Sequence, residues 1–183
     1  MKKIILILFM FILVFLIYYL NLDKKVYVLS IGDYILMDNR YNSNIDKYLG
    51  KKKEDNVIYY NEGDYRIIDL INDIKDNKEF IYNNKSYTLD NTLIKADIII
   101  ISIGMNDLMY NKKNNYDYVD EVFNDLCKLF DLIRKYSKEK IFIFNYYNLD
   151  SDFNNHLNNK LNKISNRYDI VNIELNNLEK IFK

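Results

Sequence analysis

The sequence predicts an α/β domain, a parallel sheet covered by helices, set behind an N-terminal membrane-spanning segment. Three observations carry this expectation. Short β-rich runs alternate with amphipathic stretches from Val26 onward. The run Ile98-Ile99-Ile100-Ile101 has no polar face, which suits a central strand buried on both sides. Ile4 to Leu20 make seventeen uncharged and almost wholly large, apolar positions.

The anchor comes first, over residues 1–21. At 1.5 Å per residue the apolar run is about 25 Å long, enough to cross a hydrocarbon core with Tyr18 and Tyr19 at one interface. Ile17 to Leu22 offer no small-residue cleavage site and no Cys follows, so an uncleaved anchor is expected rather than a signal peptide. Lys2, Lys3 and the amino terminus favour an inside start, although Lys24 and Lys25 lie on the other flank. The globular domain, residues 22–183, is therefore expected outside the cytoplasm, close against the bilayer, in a single-pass protein.

Strands are expected at Val26–Ile31, Asn56–Tyr60, Asp97–Ile103, Lys140–Asn145 and Asp169–Ile173, with helices at 42–50, 64–76, 116–137 and 152–167. In the third helix Val119, Val122, Phe123, Leu126, Phe130 and Ile133 recur at helical spacing and form one core-facing stripe, with Cys127 at its border as a small core residue. In the fourth, Phe153, Leu157, Leu161 and Ile164 mark the buried face. Lys78–Leu93 reads as a loop with a short hairpin or helical turn. No repeat or interdomain linker is visible.

Composition narrows the function classes. The 183 residues suit one globular domain, and 26 basic against 26 acidic side chains remove the basic imbalance that nucleic-acid binding needs. One Cys excludes a disulfide framework, and one His with one Cys excludes the usual zinc sites, so no metal or cofactor is expected. Any Ser or Cys hydrolase would have to use His156, the sole imidazole. Twenty-seven Asn beside the single Ala96 point to a biased coding composition, so Asn runs are not read as disorder.

Scarce residues are more telling, and Gly occurs four times. Gly32, Gly63 and Gly104 each close an expected strand at its C-terminal end, where ligands bind in open α/β sheets. They point to one crevice, in which Gly lets backbone and ligand approach closely. Tight strand-to-helix turns are the alternative reading of the same residues. Gly50, followed by Lys51-Lys52-Lys53, reads as a helix C-cap.

The residues around those glycines carry a family resemblance. Ile31-Gly32-Asp33-Tyr34 resembles the Gly-Asp-Ser opening motif of SGNH/GDSL hydrolases, with Tyr34 where the nucleophilic Ser belongs. Ser102-Ile103-Gly104-Met105-Asn106-Asp107 is similar to the family's Gly-x-Asn-Asp motif, and Asn61-Glu62-Gly63-Asp64 to a shortened second motif. The similarity covers about residues 26 to 174. It implies a flavodoxin-like three-layer α/β/α sandwich, a five-stranded parallel sheet in order 2-1-3-4-5, and an esterase-type site. Carried over by position, Gly63 and Asn106 are the remaining oxyanion donors, in a binding set with Gly32, Asp33, Gly104 and Asp107, and Asp107 braces the loop or caps the next turn.

The resemblance also marks what departs from an esterase. A Tyr phenol titrates near pH 10, and its ring would fill the space a Ser leaves for substrate. The family's late Asp-x-x-His is not found before Lys183; a truncated gene product would account for this, with Leu175, Leu178, Ile181 and Phe182 as a short closing helix. His156 sits instead on the fourth helix, four residues after Asp152, where a solvated helix-border residue is expected. Losing a triad Ser or His can each cost about six orders of magnitude in turnover. The expected protein is thus a membrane-anchored SGNH/GDSL-like pseudoenzyme keeping an oxyanion-type crevice for an acyl-ester or glycan ligand. An active acyl-ester hydrolase with an unconventional site, acting on lipids or acylated envelope glycans, and a flavodoxin-like membrane interaction module are the rival readings.

Overall fold

The computed structural model describes residues 26–33, 57–110, 116–146 and 151–173. Its elements in chain order are β1 (Val28–Gly32), β2 (Val57–Asn61), α1 (Ile67–Lys75), β3 (Glu79–Tyr82), β4 (Lys85–Thr88), α2 (Leu89–Lys95), β5 (Ile98–Ser102), α3 (Met105–Tyr110), α4 (Tyr116–Ile133), β6 (Ile141–Phe144), α5 (Ser151–Tyr168) and β7 (Ile170–Ile173). The anchor run Ile4–Leu20, Tyr34, the expected helix at 42–50 with Gly50, and the expected closing helix lie outside the described residues. Among the described residues no helix is long and apolar enough to cross a membrane.

Five strands form one parallel sheet in the order β2-β1-β5-β6-β7. Numbered along the chain this differs from the expected 2-1-3-4-5, because an antiparallel pair, β3-β4, is inserted after α1 and stands apart from the sheet. Its turn uses Asn83 and Asn84 at φ 48° and 59°, the left-handed pair that closes a tight hairpin and that Asn tolerates better than most residues. The arrangement is an α/β one, consistent with a flavodoxin-like fold.

Strand β5 sits between β1 and β6, and Ile99, Ile100 and Ile101 are fully buried. A side chain of that size contributes roughly 1.5–3 kcal/mol when taken out of water, so this strand alone is a large part of the core. Leu29, Ile31, Ile99, Ile101, Ile141 and Ile143 face a cluster that holds the stripes of α1, α4 and α5. In α4 that stripe is Val119, Val122, Leu126, Leu129, Phe130 and Ile133, with Phe123 and Cys127 partly buried beside it. Val28, Val57, Ile100, Phe142, Phe144 and Ile173 form a second cluster on the opposite face of the sheet. Both faces of the sheet are therefore apolar, as the unbroken Ile run in β5 requires.

Candidate functional site

The C-terminal ends of β1 and β5 meet more closely than any side chain permits. Gly32 pairs with Ser102 in register at φ 140°, and a Cβ there would lie 1.7 Å from the Ser102 carbonyl oxygen. The close approach lets the Asp33 N–H donate to the Ser102 carbonyl at 2.7 Å, while the Ser102 hydroxyl donates to Asp33 Oδ1 at 2.7 Å. Asp33 is only 2% exposed, so Ser102 replaces part of the water its carboxylate gave up.

Gly104 is the second constrained glycine. At φ 101° a Cβ would meet the Tyr146 hydroxyl at 2.7 Å, and that hydroxyl donates to the Ile103 carbonyl at 2.5 Å. Burial pushes the Tyr146 phenol far above its ordinary range, and the charges of Asp33 and Asp107 push it further, which keeps it a donor. Asn158 of α5 holds the Tyr146 backbone from both sides, accepting its N–H at 3.1 Å and donating to its carbonyl at 3.2 Å. Beneath lies a cavity of about 10 Å³ lined by Asp33, Ser102, Met105, Phe144, Asn145 and Tyr146, the size of one water. Asn145 Oδ1 is buried beside it without a hydrogen-bond partner among the described residues.

The loop after β2 is held by two anchors. Asn106 Nδ2 donates to the carbonyls of Gly63 at 3.1 Å and Tyr65 at 2.9 Å. Two carbonyl partners fix the orientation of this amide, since its oxygen could not face them. The Tyr65 hydroxyl donates to Asp73 of α1, which also accepts the Tyr60 hydroxyl at 2.6 Å and Lys78 Nζ at 2.9 Å. Burial raises the Asp73 carboxyl, but these three hydrogen bonds and the Lys78 charge outweigh it and hold the group below its usual range. Asp107 accepts the N–H of Ile67 at 3.1 Å and so caps α1 across the crevice. Its own carboxyl is raised, by burial first, against the pull of the Ile67 N–H and the Arg66 charge.

Four of the expected residues thus stand at one sheet end in defined contacts: Gly32 at the end of β1 with Asp33 after it, and Gly104 and Asn106 after β5. Gly63 joins them through its carbonyl rather than its N–H, has no positive φ, and has nothing within 4 Å of a would-be Cβ. His156 is elsewhere. Its Nε2 lies 3.7 Å from Asp120 of α4, with the two side chains 42% and 53% exposed. It stands about 200° around the helix from Asn158, the residue through which α5 reaches the crevice. Tyr34, at the motif's nucleophile position, lies outside the described residues.

No family model matches the chain, and no curated protein sequence matches it. Solved structures do, two of them as follows. A member of the lipolytic G-D-S-L family from Veillonella parvula superposes with a TM-score of 0.54 at 16% identity, over 86% of this chain and 84% of that one. The chain has an SGNH/GDSL-like fold. A gut microbial diltiazem-metabolizing enzyme superposes with a TM-score of 0.54 at 12% identity over 83% of this chain, which spans only 37% of that enzyme.

Within that fold, sequence reasoning missed Asn145, Tyr146 and Asn158 and the Tyr60-Tyr65-Asp73 network. Asn145 and Tyr146 had a usable signal: they follow β6 as Asp33 follows β1 and Gly104 follows β5, at the end of the sheet where sites form. The Tyr network had none, because eighteen Tyr in the chain make any single one uninformative.

Proposed function

We propose that this chain is a membrane-anchored SGNH/GDSL-hydrolase-like protein, a flavodoxin-like three-layer sandwich behind the anchor, that has lost ester hydrolysis and keeps a small binding crevice. The observation that carries the reading is the position of His156. The sole imidazole pairs with Asp120 on a helix flank and does not line the crevice, so it is not poised to take a proton from a nucleophile there. Asn106 adds to this, because both N–H bonds of its amide are engaged by backbone carbonyls and neither is aimed at a developing oxyanion. At the nucleophile position the sequence has Tyr34 rather than Ser. The Gly63 N–H, which donates to no acceptor among the described residues, is the donor left for an acyl-ester or glycan carbonyl. The anchor run Ile4–Leu20, preceded by Lys2 and Lys3, supports a single-pass protein with this domain outside the cytoplasm.

A working acyl-ester hydrolase is the second reading, favoured by the lipolytic family of one structural neighbour. The two separate on ester turnover by the full chain in mild detergent. Loss of hydrolysis predicts background rates for short-chain aryl esters with the chain and with His156→Ala alike. Turnover that collapses in His156→Ala, with a rate for the unchanged chain that falls on the acid side as a general base is protonated, supports the enzyme and defeats the proposal.

A further inference from the structure

A second cavity lies at the other end of the sheet. It measures about 570 Å³, within the usual range for small-ligand sites, against about 10 Å³ at the crevice. It opens where β1 begins, four residues and so about 13 Å of strand from Gly32, beside the Tyr27 carbonyl that accepts the N–H groups of Asp97 and Ile98. Its floor is apolar, with Val28, Leu29, Ile58 and Ala96 contributed by β1, β2 and the end of α2.

The polar groups in its wall divide into two sets. The hydroxyl of Thr92 donates to the Thr88 carbonyl at 2.6 Å, that of Thr88 to Asp90 at 2.7 Å, and the Asn91 amide to Thr88 Oγ1 at 2.9 Å. These are spent within the start of α2. The ammonium of Lys95 and the hydroxyls of Ser86 and Tyr87 have no partner among the described residues, and Lys95 and Ser86 are exposed at the mouth. A sugar would need hydrogen-bonding groups along the floor, which aliphatic side chains do not supply. An aliphatic floor with a cation at the rim fits an amphiphile. Ile94, 59% exposed, and the exposed Tyr27 and Val26 add apolar surface on neighbouring residues.

We propose that this cavity binds one acyl chain bearing an anionic head group, with the chain over Leu29, Ile58 and Ala96 and the head at Lys95. The site is separate from the crevice and does not rest on loss of hydrolysis; the anchored reading bears only on where the chain comes from. The test is photolabelling of the full chain in nanodiscs. One arm adds a free diazirine-bearing fatty acid to the solution, and the other builds the same acyl chain into the disc phospholipid. Adducts mapped to residues 86–96 in the first arm support a free fatty-acid source, and in the second alone a leaflet source. Lys95→Glu is expected to cut fatty-acid labelling about tenfold, one decade in affinity, and to leave labelling by the matching fatty alcohol unchanged. Ser86→Trp, an exposed change at the mouth, is expected to cut both. Absent adducts at 86–96 in both arms, adducts spread evenly over the surface, adducts confined to 103–106 and 144–146, or labelling indifferent to Lys95→Glu would each overturn the proposal. Ester turnover is not read in this experiment, so its failure is distinct from failure of the functional reading.

Discussion

Asn106 decides whether the Gly-x-Asn-Asp segment holds the fold or faces a ligand. Replacing it by Ala deletes two amide donors and strands the carbonyls of Gly63 and Tyr65. A neutral hydrogen bond contributes about 1 kcal/mol net, and the exposed Gly63 carbonyl recovers part of its share from water, so the loss should be about 1.5 kcal/mol. For a chain of this length that lowers Tm by about 3–6 °C. The chain has no Trp, so unfolding is followed by Tyr circular dichroism or fluorescence on the full chain in detergent. Hydrogen exchange gives the local readout, with faster exchange at 62–66. Asn106→Asp should cost more at neutral pH, because a carboxylate would face two carbonyls, and should recover in acid as protonation restores one donor. A loss below about 0.5 kcal/mol with exchange at 62–66 unchanged would mean that the amide does not hold the loop.

Three further outcomes follow from the same contacts. Gly104→Ala should lower stability by about 1–3 kcal/mol, because it combines positive φ with a Cβ 2.7 Å from the Tyr146 hydroxyl, whereas Gly63→Ala should be tolerated; equal effects in chemical denaturation would contradict this. Asp73 and Asp107 should give pH dependences of opposite sign. The Asp73 carboxyl is held low in the folded state, so its contribution is full above the free-carboxylate value near 4 and is lost as pH falls through the folded value; Asp73→Asn should flatten that acid limb. The Asp107 carboxyl is raised, so stability declines as pH rises from the free value through the folded one, and Asp107→Asn should remove the decline while still accepting the Ile67 N–H. His156→Ala should change stability by less than about 1 kcal/mol, because its pairing with Asp120 is exposed and screened; a larger loss in the same denaturation assay would give this residue an interior role.

The central sheet was legible because its cause is local: an unbroken Ile run has no polar face, and the stripe of α4 repeats at helical spacing. The insertion between α1 and β5 was legible in part: a short hairpin or a helical turn was expected over Lys78–Leu93, and both are present, a hairpin whose turn is carried by two left-handed Asn and the start of a helix of only seven residues. Gly32 and Gly104 announced themselves because the backbone has no other solution at those angles and distances. Gly63 looked equivalent in sequence and is not, because the contact that matters there is made by its carbonyl and is supplied by Asn106 from forty-three residues away. Likewise Asp107, expected to brace its loop or cap the next turn, accepts from the start of α1 forty residues back. Such long-range pairings have no spacing signature.

Loss of hydrolysis is tested most directly by the intact mass of the full chain after exposure to an excess of a fluorophosphonate. An unmodified mass is expected, with no Ser activated. One phosphonyl adduct per chain, mapped to a Ser and accompanied by ester turnover, would contradict it.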